Sequence, residues 1–228
     1  MMKNYLHFLL VISFIGILAL TACGAPQPVV TANPGAVPSS LVTIEAAAED
    51  IIDIAPSGGW DKIDKDVTDI ENAWKAYQPQ AEQAGASRET QDSMTSALAR
   101  LETASASKDA SGTMQGSNDV SAAVVELFAL YSPKVPADIG RLDVLERQVI
   151  LDVAAKDYSA AMKSLAKTKS AWEEVRPTVL EHDGKEVAAQ FEASLTAQES
   201  ALNAKDDATL TKEARDGLEI VDALEGLY

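Results

Sequence analysis

The chain is predicted to be all-α, a tandem duplication of an up-and-down four-helix unit. Three observations support this. Apolar residues recur at alternating three- and four-residue steps through several long stretches, and no convincing period-two strand pattern occurs. A set of chemically distinctive residues also repeats at an offset of roughly 98 positions, as expected when a structural unit is copied along a chain.

The repeat is clearest around the tryptophans. Trp60, Trp74 and Pro79 are matched in spacing by Tyr158, Trp172 and Pro177. Leu98, Glu102, Ala104, Lys108 and Asp109 recur as Leu195, Glu199, Ala201, Lys205 and Asp206. Asp119, Val124, Leu127, Leu130 and Tyr131 become Asp216, Val221, Leu224, Leu227 and Tyr228. A weaker echo aligns Ile44, Ala47, Ile51 and Ile52 with Leu142, Leu145, Val149 and Ile150.

In chain order, residues 1–22 combine an early Lys3 with an apolar run and a small-residue exit, the parts of a secretory signal peptide. Residues 23–41 follow as a tether. Pro26, Pro28, Pro34 and Pro38 stand there among small and polar residues, with too few apolar groups to offset the entropy of ordering. The first unit is expected over 42–131. Its second helix carries the stripe Trp60, Ile63, Val67, Ile70, Trp74, Tyr77 and Ala81, with polar residues between. Pro56 with Gly58 and Gly59 ends the first helix, Gly85 ends the second, and Gly112 with Gly116 is expected to open the turn before the fourth.

A linker over 132–139 contains Pro133 and Pro136, and Asp138 suits the positive end of the following helix. The second unit is expected over 140–228. Tyr158, Met162, Leu165, Trp172, Val175 and Val179 form one stripe, and Leu210, Ala214, Gly217, Val221, Leu224 and Tyr228 another. Asp157 is the expected N-cap of one helix, His182-Asp183-Gly184 a turn, and Asp206-Asp207 the start of the last helix.

The composition excludes some functions. With 19 basic against 35 acidic residues the formal net charge is −16, a surface that repels phosphate backbones, so no nucleic-acid partner is expected. One cysteine allows neither an internal disulfide nor a Cys-x-x-Cys metal site. The two histidines are His7, in the signal, and His182, in a turn between Glu181 and Asp183, a setting that argues against a catalytic triad. No Glu-x-x-His pair of the di-iron bundle type is present. No cofactor is expected, and the protein is not expected to be an enzyme.

The four residues Leu20-Thr21-Ala22-Cys23 resemble the lipobox of bacterial lipoproteins. The resemblance implies diacylation of Cys23, removal of the preceding peptide, and a mature chain held at the extracytoplasmic face of a membrane without spanning it. That membrane would be the cell membrane, or the outer membrane in a host that has two. The body, with its Pro-rich break before Leu142-Asp143-Val144-Leu145-Glu146-Arg147, is similar to uncharacterised helical-bundle lipoproteins. In architecture alone it is similar to the imelysin and iron-uptake lipoprotein group. That group's His-x-x-Glu motif is absent here, so its iron function transfers to no residue of this chain.

Two sets of charged residues remain as candidate sites. Arg141, Asp143, Glu146 and Arg147 on the fifth helix would orient a ligand if they faced a cleft between the units. Asp61, Asp64, Asp66, Asp69 and Glu71 offer oxygen ligands suited to a divalent cation. The leading expectation is a lipid-anchored binding or interaction module with a protein or small-molecule partner. The alternative is a divalent-cation or metal-handling protein relying on carboxylates.

Overall fold

The computed structural model describes residues 35–228, all of whose long elements are α-helices. The expected signal peptide, His7, Cys23 and most of the expected tether lie outside the described residues. The helices are α1 (Ser39–Ile54), α2 (Trp60–Ala84), α3 (Arg88–Ala106), α4 (Ala110–Phe128), α5 (Ala137–Ala154), α6 (Tyr158–Glu181), α7 (Lys185–Ala204) and α8 (Asp207–Glu225). A 3₁₀ turn at Ala55–Ser57 follows α1. Among the described residues no helix is long and apolar enough to cross a membrane.

Short connections force each helix back along its predecessor, and the contacts close into two rings. Helices α1 to α4 pack as one, with α1 against both α2 and α4; helices α5 to α8 pack as the other, with α5 against both α6 and α8. Each ring has its own core. The first joins Ile44, Ile51, Ile63, Ile70, Met94, Leu101, Val124 and Leu127; the second joins Leu142, Val149, Leu165, Trp172, Phe191, Leu202, Val221 and Leu224. The tryptophans anchor these cores. Trp172 lies 5.0 Å from Phe191 between ring centroids at a 58° tilt, and Trp74 lies 6.1 Å from Tyr77. Such pairs contribute about 0.5–1.5 kcal/mol beyond their burial.

The helix ends follow their local chemistry. Gly85 adopts the left-handed conformation after α2, where the missing Cβ removes the steric cost. After α3, α5 and α7 that position is filled instead by Lys108, Lys156 and Lys205, each followed by an aspartate that starts the next helix. Asp157 and Asp206 accept from the backbone N–H groups of Ala160 and Thr209, as expected of N-caps.

Two expectations are corrected. Gly112 and Gly116 do not open a turn; both lie inside α4, and the turn falls at Ser107–Asp109. Their role is close packing, because a Cβ on Gly116 would stand 2.8 Å from the Leu101 Cα of α3. Met162 does not join the α6 stripe and is 59% exposed. The buried seam runs instead through Ala161, Leu165, Thr168, Trp172, Val175 and Val179. Alanine and threonine occupy positions on that seam where a search for bulky apolar residues finds nothing, and Met162 is rotated off it.

Candidate functional site

The two rings meet along a polar seam. Helix α4 seats against α5. From α4, the Asn118 amide donates to the Val144 carbonyl at 3.2 Å and to Gln148 Oε1 at 3.0 Å. Gln115 and Gln148 exchange amide bonds at 2.9 and 3.0 Å. Gln148 also donates to Asp152, which in turn accepts from the Ser164 hydroxyl of α6. Paired amides of this kind fix the register of one helix on another, since a slip strands several buried polar groups together.

The four predicted residues of α5 do not converge on one site. Arg141 braces α5 on α4 through a two-pronged contact with Glu126, at 2.7 and 3.0 Å, and also pairs with Asp138. Asp143 and Arg147 pair with each other at the seam, and Arg147 reaches across to Glu49 of α1 at 2.9 Å. Glu146 is fully buried and turns toward α7 and α8 of the second ring. Its Oε1 accepts from Gln198 at 3.1 Å. Gly217 makes room for the carboxyl, because a Cβ there would stand 3.0 Å from the Glu146 carboxyl carbon.

Burial lifts the Glu146 pKa to about 8, against a lowering by the Gln198 bond and a further rise from the charge of Asp143. Its Oε2 and the Gln198 Oε1 have no partners. Protonation turns one of these unpartnered acceptors into a donor, and burial favours the neutral acid over the carboxylate.

A cleft of about 370 Å³ opens at the seam beside Asp143. Its walls come from Val42, Glu45 and Ala46 of α1, Val125 and Phe128 of α4, the connector at Pro133, Val135 and Pro136, Gly140 of α5, and Glu225 at the end of α8. Glu45 is half-buried as a residue, and its Oε2 is sealed from solvent close to the buried Ser121 hydroxyl, while the Nη1 of Arg147 is a buried donor without a partner. Burial raises Glu45 to about 8, helped by Glu49 and Asp143 and opposed by Arg147 and by the Ser121 hydroxyl, which donates toward the carboxyl. Burial likewise raises Asp143 to about 7 against the pull of Arg147, with Glu49, Glu225 and Asp222 pushing the same way as burial.

Sequence reasoning missed Glu45, Glu49 and Glu225. A signal for the first two existed, because the offset that aligns Ile44 with Leu142 also carries Glu45 onto Asp143 and Glu49 onto Arg147. The acidic face of α2 is broken up by lysines. Lys62 pairs with Asp50 at 2.7 Å and Asp66 at 2.8 Å, and Lys65 pairs with Asp69. Among the described residues no group of three or more His, Cys, Asp or Glu side chains is arranged to hold a metal ion. His182 lies in its turn with its ring 4.3 Å from that of Tyr228. Comparison with protein-family models, with curated proteins and with solved structures returned no match.

Proposed function

We propose that this chain is a non-enzymatic binding module, tethered by acyl chains on Cys23 to the extracytoplasmic face of a bacterial membrane, with the cleft between its two four-helix units as the binding site. The observation that carries the proposal is the convergence of Glu45, Asp143 and Glu225 from three helices on one apolar-walled cleft. A volume of 370 Å³ lies within the range of about 300–1,000 Å³ typical of small-molecule sites. The lipobox residues Leu20-Thr21-Ala22-Cys23 supply the anchor. Two or more acyl chains suffice for stable attachment, at about 0.8 kcal/mol per buried methylene. Val37, at the start of the described chain, lines the cleft, so the tether enters beside its mouth.

Mass spectrometry of membrane-extracted protein should find a mature chain that begins at an acylated Cys23, and Cys23→Ser should release the protein from membranes. A photo-crosslinking side chain at Ala46, on the exposed cleft wall, should capture a reproducible adduct in membranes. An unacylated start would sink the anchoring, and no adduct from Ala46 would sink the binding role.

A further inference from the structure

Resting on that binding role, we infer that the cleft is one end of a longer groove between α1 and α8, and that its occupant is a basic amphipathic helix of a partner protein. Two openings lie in line along these helices. Beyond the cleft at Val42, Ala46 and Glu225, a second cavity of about 350 Å³ lies between Ile52 and Asp53 of α1 and Arg215 and Leu218 of α8, with Met114 and Ile150 on its floor. The Arg147–Glu49 ion pair crosses between the two openings. At 1.5 Å per residue, Val42 to Asp53 and Arg215 to Glu225 each span about 15–17 Å, roughly three turns of wall on either side.

The packed side of the seam shows why this side stays open. Helix α4 seats on α5 where Gly140 lacks a side chain, since a Cβ there would stand 3.2 Å from the Val125 Cγ2. Under the offset that aligns Ile44 with Leu142, the α1 counterpart of Gly140 is Val42, which is 51% exposed. The offset that aligns Asp119 with Asp216 places Asp222 where α4 has Val125, and Arg215 and Lys212 where it has Asn118 and Gln115. Each exchange puts bulk or charge where the packed side has a small, apolar or amide group. Closing α8 on α1 in the manner of α4 on α5 would bury those charges, so the groove is a fixed feature of the fold.

A helix suits this groove because its floor continues the helix-on-helix contact of α4 with α5. Apolar side chains at i and i+4 of an occupant enter one opening and those at i+8 and i+11 the other, all on one helical face. The exposed rim selects its charge. Glu49 and Asp53 stand on α1, and Asp222 and Glu225 on α8. Lysines flanking an apolar stripe reach such a rim from both sides, whereas an acidic helix meets like charge along both walls. Arg215 stands at the far end, where the free carbonyls of an occupant's last turn suit a cation.

The test is fluorescence anisotropy of a labelled peptide of about four turns, with leucines at i, i+4, i+8 and i+11 and lysines on the flanks. It is titrated with the full acylated chain in phosphatidylcholine nanodiscs, with empty nanodiscs as the blank. One control peptide carries glutamate in place of lysine; another keeps the composition but spreads the leucines around the helix. The striped lysine peptide should bind saturably, at least tenfold more tightly than either control. Asp53→Lys combined with Glu225→Lys, both at exposed positions, should weaken it at least tenfold and strengthen the glutamate peptide. Val42→Trp fills the first opening and Leu218→Trp the second, and each should weaken binding at least fivefold while circular dichroism shows the variant folded.

Equal binding of the spread-leucine peptide, or binding that the double charge reversal leaves unchanged, would overturn the inference. Sensitivity to Val42→Trp alone would overturn the shared groove and keep the cleft as a binding site. Absence of saturable binding would overturn the helical occupant, and the Ala46 crosslink separately decides whether the binding role survives.

Discussion

Glu146 shows how one side chain sets a pH dependence for the whole fold. It is fully buried, and its folded pKa of about 8 lies well above the 4.5 of an unperturbed glutamate. The sign follows from linkage: a group whose folded pKa is raised contributes its full stability below the unfolded value and loses it as pH climbs to the folded value. The fold should therefore weaken between about pH 4.5 and pH 8, by a few kcal/mol at about 1.4 kcal/mol per pKa unit. Glu146→Gln keeps a donor for Gln198 and cannot ionise. Thermal melts across pH 5 to 9 should show the variant gaining stability over the parent at pH 8 and matching it near pH 5; parallel pH profiles would contradict the assignment. The sequence hid this residue's setting. Glu146 follows Leu145 in a charged stretch and reads as part of a solvated face, and nothing local shows that Gly217, a whole helix hairpin away, leaves space for its carboxyl group.

At the scale of the helix, apolar periodicity was a reliable guide and glycine was not. The α2 stripe is buried as spacing predicts, because a three-and-four rhythm of large side chains has few structural solutions other than an amphipathic helix. Glycines that stop a helix and glycines that let two helices touch are alike in sequence. Gly85 stops α2, whereas Gly116 brings the α4 backbone against Leu101 of α3. Gly116→Ala gains helix propensity, up to about 1 kcal/mol, but places a methyl 2.8 Å from a backbone carbon that cannot rotate away. Overpacking of this kind costs about 1–3 kcal/mol, so denaturant unfolding should show net destabilisation by Gly116→Ala. Gly112→Ala should cost less, since its methyl meets chiefly the Asp109 carboxylate at the helix start. Equal stability of Gly116→Ala and the parent would mean that α3 and α4 are not in close backbone contact.

At the scale of the molecule, the eight helices and their grouping into two sets of four were readable, because helical rhythm and Pro/Gly punctuation are local signals. The seam was not readable. It depends on which faces of α1, α4, α5 and α8 turn toward each other, and the glutamines and acids that populate it look like ordinary surface residues in a one-dimensional pattern. Of the predicted site, Asp143 reached the cleft, Arg147 became the cross-seam ion pair, Arg141 a brace to α4, and Glu146 a core acid. The central claim is that the seam cleft, and no other surface, is where this protein binds. Photo-crosslinking in membranes from Ala46 on the cleft wall, compared with Arg100 on the open face of α3, tests it most directly. A reproducible adduct should form from Ala46 and not from Arg100; an adduct from Arg100 alone would contradict it.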